Sequence, residues 1–172
     1  SILSGLTYVQ EAVKGSMSVL LMTREGIYCM RDKVGRMPVI LGKKEDARCV
    51  TFETSAFVNL GYEHEKDLGP GEIVFMDSDH YTVLKEPNQE MKMCAFMWVY
   101  YGYPTSTYEG VNVEMSRYKC GQLMAKRDHV DVDIVAGVPD SGIAHAIGYS
   151  NVTKDFYGRP FIKYTPTYAR SF

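Results

Sequence analysis

The chain has 172 residues, 45% of them apolar and 23% charged, with 21 acidic against 19 basic side chains and a net charge of −2. Such a composition suits an ordinary globular protein with a real core; it excludes a disordered chain, and with no basic face it argues against nucleic-acid binding through phosphates. No apolar run approaches the about 18 residues of a membrane span and no signal-peptide pattern opens the chain, so no membrane partner is expected and the location reads as cytoplasmic.

The first element is a helix. Ile2, Leu3, Leu6, Val9 and Val13 recur at helical spacing and Gly15 follows as a stop, which predicts a helix over 2–14. Short apolar and β-branched runs come next, at 17–23, 27–31, 39–42 and 48–53, with Arg24-Glu25-Gly26 as a hairpin turn between the first two. Residues 55–60 read as one or two helical turns opened by Thr54 or Ser55 and ended by Gly61. Further strands are expected at 62–67, 72–77 and 80–85, with Leu68-Gly69-Pro70-Gly71 as a strong turn. Up to about residue 90 the pattern is one helix and many antiparallel strands, an α+β class.

Beyond the polar segment 86–90 the pattern changes. The apolar and aromatic run 94–101 predicts a buried strand, 111–127 a helix with Val113, Ser116, Arg117, Cys120, Leu123 and Met124 on one face, 134–138 a buried strand, 141–152 a helix, and 161–163 the start of another strand. Alternation of helix and strand is the beginning of a parallel α/β sheet. Two domains are therefore expected, 1–90 and 91–172. The chain opens at Ser1 in a helical pattern and closes at Phe172 without a domain stop, so both ends read as cut.

The segment from Asp131 to Gly148 carries the most chemistry. A strand, a turn of Pro139, Asp140, Ser141 and Gly142, and a helix start make an anion site, because unpaired N–H groups and the helix dipole favour negative charge there. Asp140 or Ser141 serves as the cap, and Gly142 leaves room for a ligand against the backbone. Capping alone explains the same residues, so a phosphate site and an ordinary turn both remain open. Neither GxxxxGK[ST] nor GxGxxG occurs. Cys29, Cys49, Cys94 and Cys120 form no CxxC or CxxH pair, which argues against structural zinc, and most are expected to be inert thiols. His64, His80, His129 and His145 fall in different elements without metal spacing. Tyr28, Tyr62 and the aromatic run 96–101 are assigned to the core.

Taken in order, these segments resemble the glutamine phosphoribosylpyrophosphate (PRPP) amidotransferase family. Lys14-Gly15 with 17–23 resembles "KGAYAL"; Arg31-Asp32 with Gly35, Pro38 and Gly42 resembles "RDPxGxRPLxxG"; Glu53-Thr54-Ser55-Ala56-Phe57 resembles "SETCAF"; Gly61 with Pro70-Gly71-Glu72 matches "GA…VEPGE". The run from Cys94 resembles "CxFEYVYF", Gly110-Val111-Asn112-Val113 with Arg117 and Gly121 resembles "GxxVxxARxxMG", and the segment from Val135 is close to "VxGVPDSGxxAAIGYA". Phe161-Ile162-Lys163 and Arg170-Ser171-Phe172 resemble "LIKNRYVGRTF". The sequence departs from the pattern at Met37, Met97, Tyr103 and Thr105, where the family has Arg, Glu, Arg and Asp.

The resemblance implies the C-terminal part of an Ntn-type glutaminase sandwich followed by the start of a type I phosphoribosyltransferase domain. In that family glutamine-derived ammonia displaces pyrophosphate from PRPP in purine synthesis. It implies Pro139, Asp140, Ser141 and Gly142 on the pyrophosphate, Ser141 as an Mg²⁺ contact, and Lys163, Tyr168 and Arg170 on a closing loop. Cys94 is implied as one ligand of a [4Fe–4S] cluster only where the full-length protein carries one, and no cofactor is expected on this chain alone. The family's nucleophilic Cys would precede Ser1 and its acidic PRPP loop would follow Phe172, so no catalytic residue is assigned here. A non-catalytic homologue that binds a phosphorylated ligand or partner is the alternative. Unpaired sheet edges predict a homo-oligomer.

Overall fold

The computed structural model describes residues 1–166, in two compact units: Ser1–Ala95 with Thr105–Gly110, and Phe96–Pro104 with the chain from Val111 onward. The class is α+β.

The first unit opens with helix α1, Ile2–Ala12, whose Ser1 N-cap accepts a hydrogen bond from the Ser4 amide at 3.2 Å. Two antiparallel sheets follow. One has the order β1 (Val19–Met22), β2 (Ile27–Met30), β6 (Ile73–Met76), β7 (Tyr81–Lys85); the other has β4 (Ala47–Thr51), β3 (Ile40–Lys44), β5 (Glu63–Asp67). Alternation along β2 divides its side chains between two cores. Tyr28 and Met30 face α1, where Leu6, Met30 and Ile73 form a buried cluster with Leu3, Val9 and Leu84 around it. Ile27 and Cys29 face the opposite way, into a cluster of Val39, Leu41, Leu68, Val74 and Met76 flanked by Val50. Tyr28 lies against Phe75 with ring centroids 4.9 Å apart.

Helix α2, Ser55–Leu60, buries Phe57 and ends on Gly61 at φ 70°, as the sequence predicts. Neither Thr54 nor Ser55 caps it with a side chain. The Ser55 amide instead donates to the Ser106 hydroxyl (3.1 Å), and Thr54 Oγ1 accepts from the Thr107 amide (2.8 Å). These bonds fasten Thr105–Gly110 to the first unit.

The second unit departs further from the sequence reading. The run expected as a strand at 94–101 is a π-helix over Met97–Tyr101. Phe96 and Tyr100 stack with centroids 5.0 Å apart, a contact that four-residue spacing permits in a helical turn and forbids in an extended strand. Only Met97 of this helix is buried, so the aromatic run is not core. Helix α3, Val113–Ala125, is capped by the Asn112 side chain, which accepts from the Met115 amide at 3.0 Å. Its buried face is Val113, Arg117, Gly121 and Ala125, whereas Leu123 and Met124 are more than half exposed. The face is set by close approach to helix α4, Ile143–Thr153. A methyl on Gly121 would overlap the His145 carbonyl, and one on Gly148 would overlap the Tyr118 carbonyl. Residues 134–138 form no ladder. One parallel bridge joins Val135 to Tyr157, Ile134 and Val138 are exposed, and 161–163 belong to no strand. A strand needs a neighbour to bond its main chain, and here Val135 finds one only at Tyr157.

Candidate functional site

The turn over 139–142 is built from main chain packed on main chain. Its N-terminal side is anchored by the bridge, with the Val135 amide donating to Phe156 O (2.8 Å) and the Gly158 amide to Val135 O (3.0 Å). The Gly142 amide then donates to Val138 O at 3.0 Å and the Ile143 amide to Asp140 O at 3.3 Å. Gly142 is the N-cap residue of α4, with no side-chain cap bond, so the capping role expected of Asp140 or Ser141 is not filled. The bare Cα of Gly142 is used by the protein itself rather than kept for a ligand: a Cβ there would meet Val138 O at 2.7 Å, and one on Gly137 would meet Gly142 O at 2.6 Å. Gly137 is thus a second requirement of the turn that the sequence reading missed. The amides of Asp140 and Ser141 donate to no main-chain carbonyl among the described residues, and these are the donors the turn presents.

The structure brings two of the expected site segments together. Lys163 Nζ lies 2.8 Å from Asp140 Oδ2, with both side chains largely exposed. His145, one turn into α4, reaches back so that Nδ1 lies 3.1 Å from Ser141 O. Tyr168 and Arg170 lie outside the described residues. Cys94 is half-buried, in the first unit, where its amide donates to Arg36 O at 3.1 Å.

Arg31-Asp32 turns out to be an organising centre of the first unit. The Arg31 guanidinium is fully buried and donates to Met37 O (2.8 Å), Gly35 O (2.7 Å), Leu68 O and Glu109 Oε1 (2.6 Å). Asp32 gathers the amides of Val34 and Arg36, each at 3.1 Å, and the Ser16 hydroxyl at 3.2 Å. Gln10 of α1 donates to Arg31 O and Gly71 O and accepts from Lys85 Nζ. Glu109 and Gln10 carry no local signal for these roles, because their partners lie far away in sequence.

The buried thiol of Cys29 is pushed up by desolvation from its ordinary 9.0 to about 12. Its reaction with a thiol reagent is expected to follow global unfolding. The native state holds this proton where the unfolded chain has lost it, so the stability it contributes is complete below pH 9.0 and falls as pH rises toward about 12. Unfolding midpoints at about pH 9 and about pH 11 should therefore diverge less in Cys29→Val than in the unchanged chain; an equal difference would count against this account.

No family model matches the chain. The chain is 36% identical to the amidophosphoribosyltransferase of Methanothermobacter thermautotrophicus over 156 residues, 90% of this chain and 33% of that protein. It is 32% identical to the Bacillus subtilis enzyme over 156 residues, 88% of this chain and 32% of that protein. Among solved structures, the glutamine PRPP amidotransferase from B. subtilis complexed with ADP and GMP superposes with a TM-score of 0.84 at 28% identity, covering 96% of this chain and 39% of that one. A structure described as the allosteric regulatory enzyme of purine biosynthesis matches equally, with a TM-score of 0.84. In sequence and in fold the chain is therefore a homologue of the amidophosphoribosyltransferases over a stretch that amounts to about a third of their length.

Proposed function

We propose that this chain supplies the diphosphate-binding turn of an amidophosphoribosyltransferase, which passes glutamine-derived ammonia to PRPP and releases pyrophosphate in purine biosynthesis. The observation that carries the reading is the turn at 139–142 with Lys163 drawn to Asp140, in a chain homologous to those enzymes. In this reading Pro139 and Gly142 shape the turn, the amides of Asp140 and Ser141 take pyrophosphate oxygens, and Lys163 moves from Asp140 to the anion. Tyr168 and Arg170, outside the described residues, are assigned to the diphosphate by the resemblance alone. Residues 1–90 are assigned to the glutaminase domain and 91–172 to the transferase domain, in a cytoplasmic homo-oligomer that uses glutamine and PRPP.

Asp140 and Ser141 offer adjacent hard oxygen donors, and no group of three His, Cys, Asp or Glu converges among the described residues. That fits an Mg²⁺ ion that arrives with the diphosphate rather than one caged by protein. When bound, the ion neutralises charge on the leaving pyrophosphate. The described residues do not fit a [4Fe–4S] cluster, which needs four thiolates, and Cys94 offers one. A binding-only homologue is the second reading, favoured by Tyr103 and Thr105 standing where the family pattern has Arg and Asp.

Calorimetric titration with pyrophosphate plus Mg²⁺ tests the site. Binding is expected, and Ser141→Ala, which keeps the main-chain amide but removes the hydroxyl assigned to Mg²⁺, should weaken it about tenfold, the size of a lost polar contact to a charged group. No heat at millimolar pyrophosphate, or equal affinity in the variant, would sink the assignment. Ammonia-dependent release of pyrophosphate from PRPP separates the catalytic reading from the binding-only one.

A further inference from the structure

We propose that His145 is a positioning residue that sets the conformation of the turn at 139–142 and, through it, the turn's affinity for a diphosphate. The second half of this proposal rests on the reading of the turn given above. The argument begins with the acceptors at the start of α4. Val138 O is taken by the Gly142 amide, Asp140 O by the Ile143 amide and Gly142 O by the Ala146 amide. Ser141 O is different: no main-chain amide among the described residues donates to it, and its partner is His145 Nδ1 at 3.1 Å. The side chain thus replaces the main-chain bond that would normally close this position.

A carbonyl oxygen only accepts, so Nδ1 carries the hydrogen, which fixes the neutral ring as the Nδ1–H tautomer. The peptide between Ser141 and Gly142 is held on its N–H by Val138 O and on its carbonyl by this contact, at the place where the turn joins the helix. Gly142 and Gly137 leave no slack there, since a Cβ on either would meet carbonyl oxygens of the turn. The His145 main chain itself is seated against α3 at Gly121, so the ring reaches Ser141 from a fixed base.

Asparagine and glutamine separate this role from general packing. The Nδ2 amide of asparagine stands at the same bond distance from Cβ as His Nδ1, whereas the glutamine amide stands where Nε2 would be. Three readouts on the full chain test the proposal: the His145 tautomer by long-range nitrogen NMR, amide hydrogen exchange at Ser141, Gly142 and Ile143, and titration with pyrophosphate plus Mg²⁺. The unchanged chain is expected to show the Nδ1–H tautomer. His145→Asn should keep exchange and affinity within about twofold, while His145→Gln and His145→Ala speed exchange and weaken binding about fivefold, the effect of one lost neutral hydrogen bond. An Nε2–H tautomer, or glutamine behaving like asparagine, overturns the proposal. If the unchanged chain binds no pyrophosphate, the diphosphate reading fails, and the exchange data alone then uphold the clamp by an Asn–Gln difference or overturn it by equality.

Discussion

Arg31→Met is expected to cost the first unit about 3–5 kcal/mol, the penalty for breaking a buried, hydrogen-bonded ion pair by removing one partner. The guanidinium is fully buried, and its loss strips donors from Met37 O, Gly35 O and Leu68 O while leaving the Glu109 carboxylate, about a quarter exposed, without its cation. Because a domain of this size holds only about 5–15 kcal/mol in total, the variant should unfold at a much lower urea concentration. Lysine should not rescue it. The acceptors surround a planar fork of donors, and an ammonium on a flexible stem reaches one or two of them. Glu109→Gln should cost less, since it keeps an acceptor for Arg31. Urea denaturation followed by circular dichroism measures all three, and an Arg31→Met loss below about 1 kcal/mol would show that these bonds contribute little net stability.

Gly121→Ala is the second large effect, and its sign is the test. On an isolated helix this change stabilises by about 1 kcal/mol, because alanine has the better helix propensity. Here the added methyl would overlap the His145 carbonyl, so α3 and α4 must move apart. Overpacking of this kind costs about 1–3 kcal/mol, and the net result should be destabilisation of the second unit, larger still for Gly121→Val. Since the main chain of His145 is the contact displaced, the turn at 139–142 should shift with it, and pyrophosphate binding should weaken in step with stability. A gain in thermal midpoint for Gly121→Ala would mean that the helices do not pack backbone to backbone at this point.

Much of the first unit was legible before any coordinates. An apolar period of helical spacing gave α1, Gly61 marked the end of α2, and the turns at Arg24-Glu25-Gly26 and Leu68-Gly69-Pro70-Gly71 placed β1, β2, β5 and β6. These are local signals: left-handed glycines and the helical and period-two spacing of apolar residues act within a few residues. The run 94–101 misled because apolar content has no period of its own, and the choice between strand and helix falls to what surrounds it. Arg117 of α3, nearly fully buried, donates to the carbonyls of Trp98, Tyr100 and Gly102, and so supplies donors along and just past the π-helix that no residue within 94–101 announces.

For the site the division is the same. The sequence by itself determined that a turn stands at 139–142, that a helix follows it, and the resemblance that the homologues bear out, whereas the side-chain cap expected of Asp140 or Ser141 is not made. Only the tertiary structure decided that Gly137 and Gly142 close the turn on itself, that Lys163 meets Asp140, that His145 takes the Ser141 carbonyl, and that Arg31 finds Glu109 across 78 residues. Conformational preferences are properties of neighbouring residues and are written locally. The partner of a buried charge or an unsatisfied carbonyl is whichever group packing brings within about 3 Å, and sequence separation says nothing about that distance.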